Sequence, residues 1–246
     1  MQVFFIDLSN YVLGVEDVID YENFLSDDEK IRYKNINFFP KKRNFIIGRV
    51  IIKSVLSRVL NCSAIDVVLE KTSKGQLKIK SPFSNLFFNI SHSHNLIIIA
   101  LNQSPVGVDV EYLKSRNYCD VANFFFKKSE YDHIYQESQA LQKKLFYSYW
   151  TIKESFIKCN AEQLFDKTKD IECLIDGVSL KHNFDQEYEI STYLIDENYI
   201  FSVTTKSSDL EEEPLIINKI ADLKLFKFEN QPCHLLCTSR AIGDKI

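Results

Sequence analysis

The spacing of hydrophobic and polar positions changes several times along the chain, and each change marks an element. Val3–Leu8 is an apolar run that reads as a strand. Ser26-Asp27-Asp28-Glu29 has capping-box spacing, with Ser26 as N-cap and Glu29 three residues on, and predicts the start of a short basic helix. Phe45, Ile46, Val50, Ile52, Val55, Leu56 and Val59 recur at helical intervals, so residues 42–60 are expected to form an amphipathic helix beyond Pro40. Thr72–Gly75 reads as a turn between strands. Leu86–Ile90 and Leu96–Leu101 are short apolar strands, with Ser91-His92-Ser93-His94-Asn95 as the polar turn between them. Val106–Tyr112 alternates with period two. Ser129–Asp132 offers a second capping-box spacing, and residues 139–160 follow as a long helix with Leu145, Phe146, Tyr149, Trp150, Ile152, Phe156 and Ile157 on its buried side. Tyr188–Thr205 alternates again, as a hairpin would. A strand followed at similar distance by a long helix occurs in both halves, a hint of two related lobes.

Composition narrows the class. With 246 residues, 45% hydrophobic and 26% charged, the chain can bury a substantial core as a soluble globular protein. The six cysteines are scattered without a C-x-x-C pair, which suits reduced thiols in the cytoplasm rather than a disulfide framework. Val3–Ile6 lacks a basic flank and is interrupted by Asp7, so it is not read as a targeting segment. Ser81–Val108 is free of Asp, Glu, Lys and Arg, but its Asn, Ser, His and Gln rule out a membrane span.

The net charge of −4 hides an asymmetry: residues 1–29 carry eight acids and no Lys or Arg, and residues 30–58 carry nine bases and no acid. A local basic stretch on an acidic protein points to an anionic ligand rather than to nucleic acid. The plainer alternative is a solvated helix face turned toward the acidic segment.

Three short motifs carry candidate chemistry. On a Val106–Tyr112 strand, Asp109 and Glu111 share one face beside Gly107, which is expected to leave open space. Two carboxylates so placed repel unless solvated or bridged by a hard cation. In Trp150–Lys158, Glu154 and Lys158 lie one turn apart and could be an ordinary surface pair, with Lys153 solvated beside them. Ser91-His92 can present a hydroxyl, an imidazole and backbone N–H groups to an anion, or simply be a polar turn. Cys233-His234 with Cys237 invites a zinc reading, although packing is the commoner role for such cysteines.

Taken in order, Asn89-Ile90-Ser91-His92-Ser93, then Gly107-Val108-Asp109-Val110-Glu111, then Trp150-Thr151-Ile152-Lys153-Glu154-Ser155-Phe156-Ile157-Lys158 strongly resemble the signature set of the 4′-phosphopantetheinyl transferases. The two-lobed type that activates nonribosomal peptide synthetases is nearest in length, and the resemblance covers residues 24–205. It implies an α+β fold of two similar lobes in pseudo-twofold relation, each a small antiparallel sheet packed on a long helix. The lobes are expected at 1–106 and 107–225, with 226–246 as a C-terminal tail. It implies transfer of the phosphopantetheine arm of coenzyme A to a serine of an apo acyl, peptidyl or aryl carrier protein by a monomeric cytoplasmic enzyme that uses Mg²⁺ (Mn²⁺ in its place), without nucleic acid or membrane.

Residue by residue, Asp109, Glu111 and Glu154 match the family's three acids around Mg²⁺, and Glu154 matches its general base. Lys158 matches a pyrophosphate contact, and Ser91 and His92 match phosphate-binding residues. Lys30, with Arg32 or Lys34, matches the basic group near the 3′-phosphate, and Arg43 or Asn44 falls at a nucleotide-contacting position. Where the family often has G-K-P, this chain has Gly75-Gln76-Leu77, so Lys74 becomes the candidate substitute. The carrier is expected to dock against Leu113–Lys128, with Phe124-Phe125-Phe126 as an apolar contact or, equally, as local core.

Overall fold

The computed structural model describes residues 1–9, 20–72, 75–80, 86–160, 170–183, 187–206, 215–222, 227–230 and 233–239. Lys74 lies outside them. Thirteen strands and five helices are assigned among these residues. The strands are β1 (Gln2–Asp7), β2 (Leu69–Lys71), β3 (Leu77–Ile79), β4 (Phe87–Ser93), β5 (Leu96–Asn102), β6 (Val106–Tyr112), β7 (Cys173–Asp176), β8 (Ser179–His182), β9 (Tyr188–Ile195), β10 (Tyr199–Lys206), β11 (Ile216–Asp222), β12 (Lys227–Asn230) and β13 (His234–Thr238). The helices are α1 (Asp27–Lys34), α2 (Phe39–Leu60), α3 (Tyr118–Phe125), α4 (Lys128–Gln136) and α5 (Gln139–Cys159).

Two sheets, in the orders β12-β11-β1-β5-β4 and β6-β10-β9-β13-β8-β7, each pack a long helix, and β2 and β3 form a separate hairpin. The α+β architecture is therefore as expected, with one difference. Both sheets are mixed, because β11 lies parallel to β1 and β13 parallel to β8. These pairs arise because the chain beyond residue 215 returns to both sheets, β11 and β12 to the first and β13 to the second.

Burial explains the sequence pattern. Phe4, Ile6, Ile97 and Ile99 face α2, while Val3, Phe5, Ile98 and Ala100 on the opposite face meet Val106, Val108, Val110, Phe201 and Val203 of the second sheet. The first sheet is thus covered on both sides, which is why β1 and β5 read as continuous apolar runs rather than alternating ones. The second sheet's other face receives α5, with Phe146, Tyr149, Ile152 and Phe156 packed among α3 and α4. The layers run helix, sheet, sheet, helix.

Local signals behave as their chemistry dictates. The Ser26 hydroxyl accepts from Glu29 N–H and the Glu29 carboxylate from Ser26 N–H, so the capping box opens α1. The second predicted box shifts by two residues. Glu130 accepts from Lys127 N–H, and Ser129 turns instead to Glu172. The predicted turn at 91–95 shrinks to His94-Asn95, with His94 at φ 54°, because Ser91, His92 and Ser93 continue β4 against Ile98, Ile97 and Leu96.

Candidate active site

The site forms where β4, β6 and the last turns of α5 meet. Asp109 and Glu111 project from β6 on the face that receives α5, since Val108 and Val110 point into the core between the sheets. Gly107 does not leave open space, as the sequence suggested. A Cβ there would lie 2.0 Å from the carbonyl oxygen of Ser155 and 2.3 Å from the amide nitrogen of Cys159, so helix backbone fills the gap. That contact sets Glu154 and Lys158 over the two strand carboxylates.

Hydroxyls fix the helix on the sheet. Thr151 Oγ1 lies 2.7 Å from Ser202 Oγ, Ser202 2.8 Å from Thr192 Oγ1, and Ser155 Oγ 2.8 Å from Thr204 Oγ1, all buried. A search for apolar positions passes over this interface, yet Thr151 and Ser155 are one turn apart and Ser202 and Thr204 share a strand face, the spacing two facing elements need.

Lys158 does not form a surface pair with Glu154. Its Nζ lies 2.6 Å from Asp109 Oδ1 and 3.0 Å from Ser91 Oγ, and Ser91 in turn donates to Asp109 Oδ1 at 2.9 Å. The other Asp109 oxygen, Oδ2, is buried without a hydrogen-bond partner. Burial raises the Asp109 pKa against the pull of Lys158 and Ser91. Burial also raises Glu111, opposed by the Ser93 hydroxyl and reinforced by Asp109. Glu154 is raised by burial and by the charges of Asp109 and Glu111, with Lys158 opposing. The three carboxylates therefore share one electrostatic neighbourhood, although among the described residues no three His, Cys, Asp or Glu side chains are drawn into a closed metal-ligand group. The zinc reading of Cys233, His234 and Cys237 gains nothing: Cys237 is buried in the second core.

Lys153 is not solvated either. It is 1% exposed, its Nζ 2.8 Å from Glu130 Oε2, and it donates to Ile171 O. Glu130 also accepts from Cys173 N–H, so this pair ties α4 and β7 to α5 next to Glu154.

Ser91, which bonds Asp109, also lines a cleft of about 640 Å³, together with Arg32, Lys41, Asn44, Arg49 and His92 among others. Of the sequence candidates, Arg32, Asn44, Ser91 and His92 are on its wall, while Lys30, Lys34 and Arg43 are not. Lys30 lies 3.9 Å from Asp27, and Arg43 reaches Asn44 and Asn95. Lys41 and Arg49 on the wall were missed. The basic stretch has an acidic partner after all, because Glu29 takes Arg49 at 2.7 Å and Lys53 at 3.1 Å. Burial lowers the Arg49 pKa, Glu29 supports its charge and Arg32 opposes it. Gln76 meets α5 rather than the cleft, donating to Lys158 O at 3.0 Å and so satisfying a carbonyl at the helix end. The three phenylalanines divide: Phe124 is exposed, Phe125 half-buried and Phe126 part of the core.

Two sequence models match in tandem. One, described as 4′-phosphopantetheinyl transferase, N-terminal, covers residues 16–104; the other, described as the 4′-phosphopantetheinyl transferase superfamily, covers residues 105–204. This chain belongs to the 4′-phosphopantetheinyl transferase superfamily. Among transferases of known name it is 33% identical to HetI of Nostoc sp. over 152 residues, 60% of this chain and 64% of that one. It is 25% identical to Sfp of Bacillus subtilis over 217 residues, 84% of this chain and 93% of that one. It is 26% identical to the L-aminoadipate-semialdehyde dehydrogenase-phosphopantetheinyl transferase of Mus musculus over 202 residues, 77% of this chain and 60% of that one. The match with HetI thus spans just under two thirds of that protein's length, and the match with Sfp nearly all of it. Phosphopantetheinyl transferases are enzymes, and in this chain Asp109, Glu111 and Glu154 share one electrostatic neighbourhood with Lys158.

Proposed function

We propose that the protein transfers the 4′-phosphopantetheine arm of coenzyme A to a serine hydroxyl of an apo carrier protein. The observation that carries this reading is the cluster of Asp109, Glu111, Glu154 and Lys158, joined through Ser91 to a cleft walled by Arg32, Lys41, Arg49, Ser91 and His92. Arg32, Lys41 and Arg49 would hold the phosphates at the adenosine end, with Asn44 against the nucleotide. Ser91, His92 and Lys158 would hold the pyrophosphate. Glu154, its pKa raised by burial and by the charges of Asp109 and Glu111, would take the proton of the carrier serine. The serine oxygen would then form a bond to the phosphorus bearing the pantetheine arm. The phosphoanhydride P–O bond breaks, and adenosine 3′,5′-bisphosphate leaves with the electron pair. Catalysis is then positioning and charge stabilisation, with no covalent enzyme intermediate.

The residues fit a Mg²⁺ ion, with Mn²⁺ in its place. The donors are all oxygens, Asp109 Oδ2 is an unpartnered buried oxygen, and the raised carboxylates repel one another. Asp109, Glu111 and Glu154 would hold it. When bound, it would neutralise charge on the pyrophosphate.

Exposed Phe124 on α3, in the 113–128 stretch, supports docking of the carrier there. We place the lobe boundary at residues 106/107, next to the junction of the two matched segments. A cytoplasmic location fits the six free thiols, and no described helix is long and apolar enough to cross a membrane. The test is to incubate the protein with a panel of apo carriers, coenzyme A and Mg²⁺ and weigh the carriers. A mass gain of one phosphopantetheine supports the reading, and no gain on any carrier would refute it.

A further inference from the structure

β4 is an edge of the first sheet and β6 an edge of the second. Side chains of β4 join the two. Asn89 Oδ1 accepts from Val108 N–H at 3.1 Å, Ser91 Oγ from Val110 N–H at 3.4 Å, and Ser93 Oγ from Tyr112 N–H at 3.1 Å. Acceptors two residues apart on one strand thus meet donors two residues apart on the other, so one face of β4 reads the outward N–H row of β6. An edge strand carries such a row, and burying it without partners is costly.

Each serine hydroxyl then spends its own hydrogen on the carboxylate one residue earlier. Ser91 donates to Asp109 Oδ1 at 2.9 Å and Ser93 to Glu111 Oε2 at 2.8 Å. Ser91 is shared with Lys158, whereas Ser93 serves Glu111 from the opposite lobe.

We propose that Ser93 is a positioning residue for the transfer reaction: it holds the Glu111 carboxylate in place by binding the Tyr112 amide and Glu111 together across the seam between the lobes. The proposal rests on the transferase reading above. Removing the hydroxyl frees the carboxylate and orphans the Tyr112 N–H, while threonine keeps the hydroxyl and suits a strand.

The test is a double-mutant cycle of Ser93→Ala and Glu111→Ala in the full chain, with Ser93→Thr alongside. Loading of an apo carrier is read by mass, and thermal unfolding is followed in excess chelator. Ser93→Ala is expected to lower turnover about 10–100-fold while Glu111 is present and to add little once Glu111 is alanine. Ser93→Thr should recover most of the loss. The unfolding cycle should show coupling between the two positions without metal. Equal losses in both backgrounds, unrescued by threonine, would reduce Ser93 to a packing residue and overturn the proposal. If the wild type loads no carrier, the transferase reading falls by itself. The metal-free unfolding cycle then decides for the seam, and zero coupling overturns it. Should Ser93→Ala fail to fold, hydrogen exchange of the wild-type Tyr112 amide substitutes: rapid exchange counts against the bond and strong protection supports it.

Discussion

Replacing Gly107 by alanine should damage this protein more than any other addition of a single methyl group at a described glycine. The new Cβ would lie 2.0 Å from Ser155 O, 2.3 Å from Cys159 N and 2.9 Å from Cys159 Cα. Carbon and carbonyl oxygen come to rest near ~3.3 Å, so the end of α5 must retreat from β6 by about 1 Å. All three atoms are backbone, and no side chain can rotate away. Overpacking usually costs about 1–3 kcal/mol, and this contact belongs at the upper end. For a chain of this size a loss of about 2–3 kcal/mol lowers Tm by roughly 5–10 °C. The chemistry should suffer more, because the displaced turn carries Glu154 and Lys158, and Lys158 now sits 2.6 Å from Asp109. A misplacement of about 1 Å is enough to lower turnover about 10²-fold. Gly48→Ala is the control. Its Cβ meets only Ile90 Cδ1 at 3.9 Å, and relief of glycine's backbone entropy inside α2 should leave stability equal or higher by about 0.5–1 kcal/mol. Thermal unfolding and carrier loading measured on the purified variants decide the matter. A Gly107→Ala protein with wild-type Tm and turnover would show that α5 does not rest on Gly107.

Loading should stop in excess chelator and return with Mg²⁺ or Mn²⁺ but poorly with Zn²⁺, since the proposed ligands are all oxygens; full activity in metal-free buffer removes the proposed site. Lys153→Ala strands Glu130, which is 0% exposed, and should cost about 3–5 kcal/mol by denaturant unfolding; a loss below about 1 kcal/mol would mean that the buried pair does not hold α4 to α5. Glu154 has a raised pKa, so the folded protein keeps a proton that the unfolded chain releases, and metal-free stability contributed here falls as pH rises from the ordinary carboxylate value of 4.5 through the raised one. Glu154→Gln should therefore become more stable relative to wild type as pH climbs, with turnover down about 10²–10⁴-fold; a stability gap that ignores pH contradicts the buried, repelled carboxylate.

The elements were legible in the sequence where one period dominated. The β9–β10 hairpin, α2, α5 and the Ser26–Glu29 box follow from local spacing, because each depends on residues within a turn or on alternation along one strand. The three carboxylates were legible as a set only through the motif order that resembles the transferases, because spacing alone puts Asp109 with Glu111 and Glu154 a turn from Lys158 without joining the two pairs. What sequence could not decide is which neighbour a side chain meets. Lys153 and Lys158 are the same residue type on the same helix. Only packing sends one to Glu130 in the interior and the other to Asp109 at the site. Glu29 reads as part of an acidic, solvated segment until α2 brings Arg49 and Lys53 against it. The hydroxyl contacts between α5 and β10, and the row Asn89, Ser91 and Ser93 facing the amides of β6, leave no hydrophobic trace and join residues far apart in the chain. Local spacing thus determined the elements, and the order of the three motifs marked the residues that could do chemistry. Tertiary contact, through burial and unmet hydrogen bonds, decided which of them share a site.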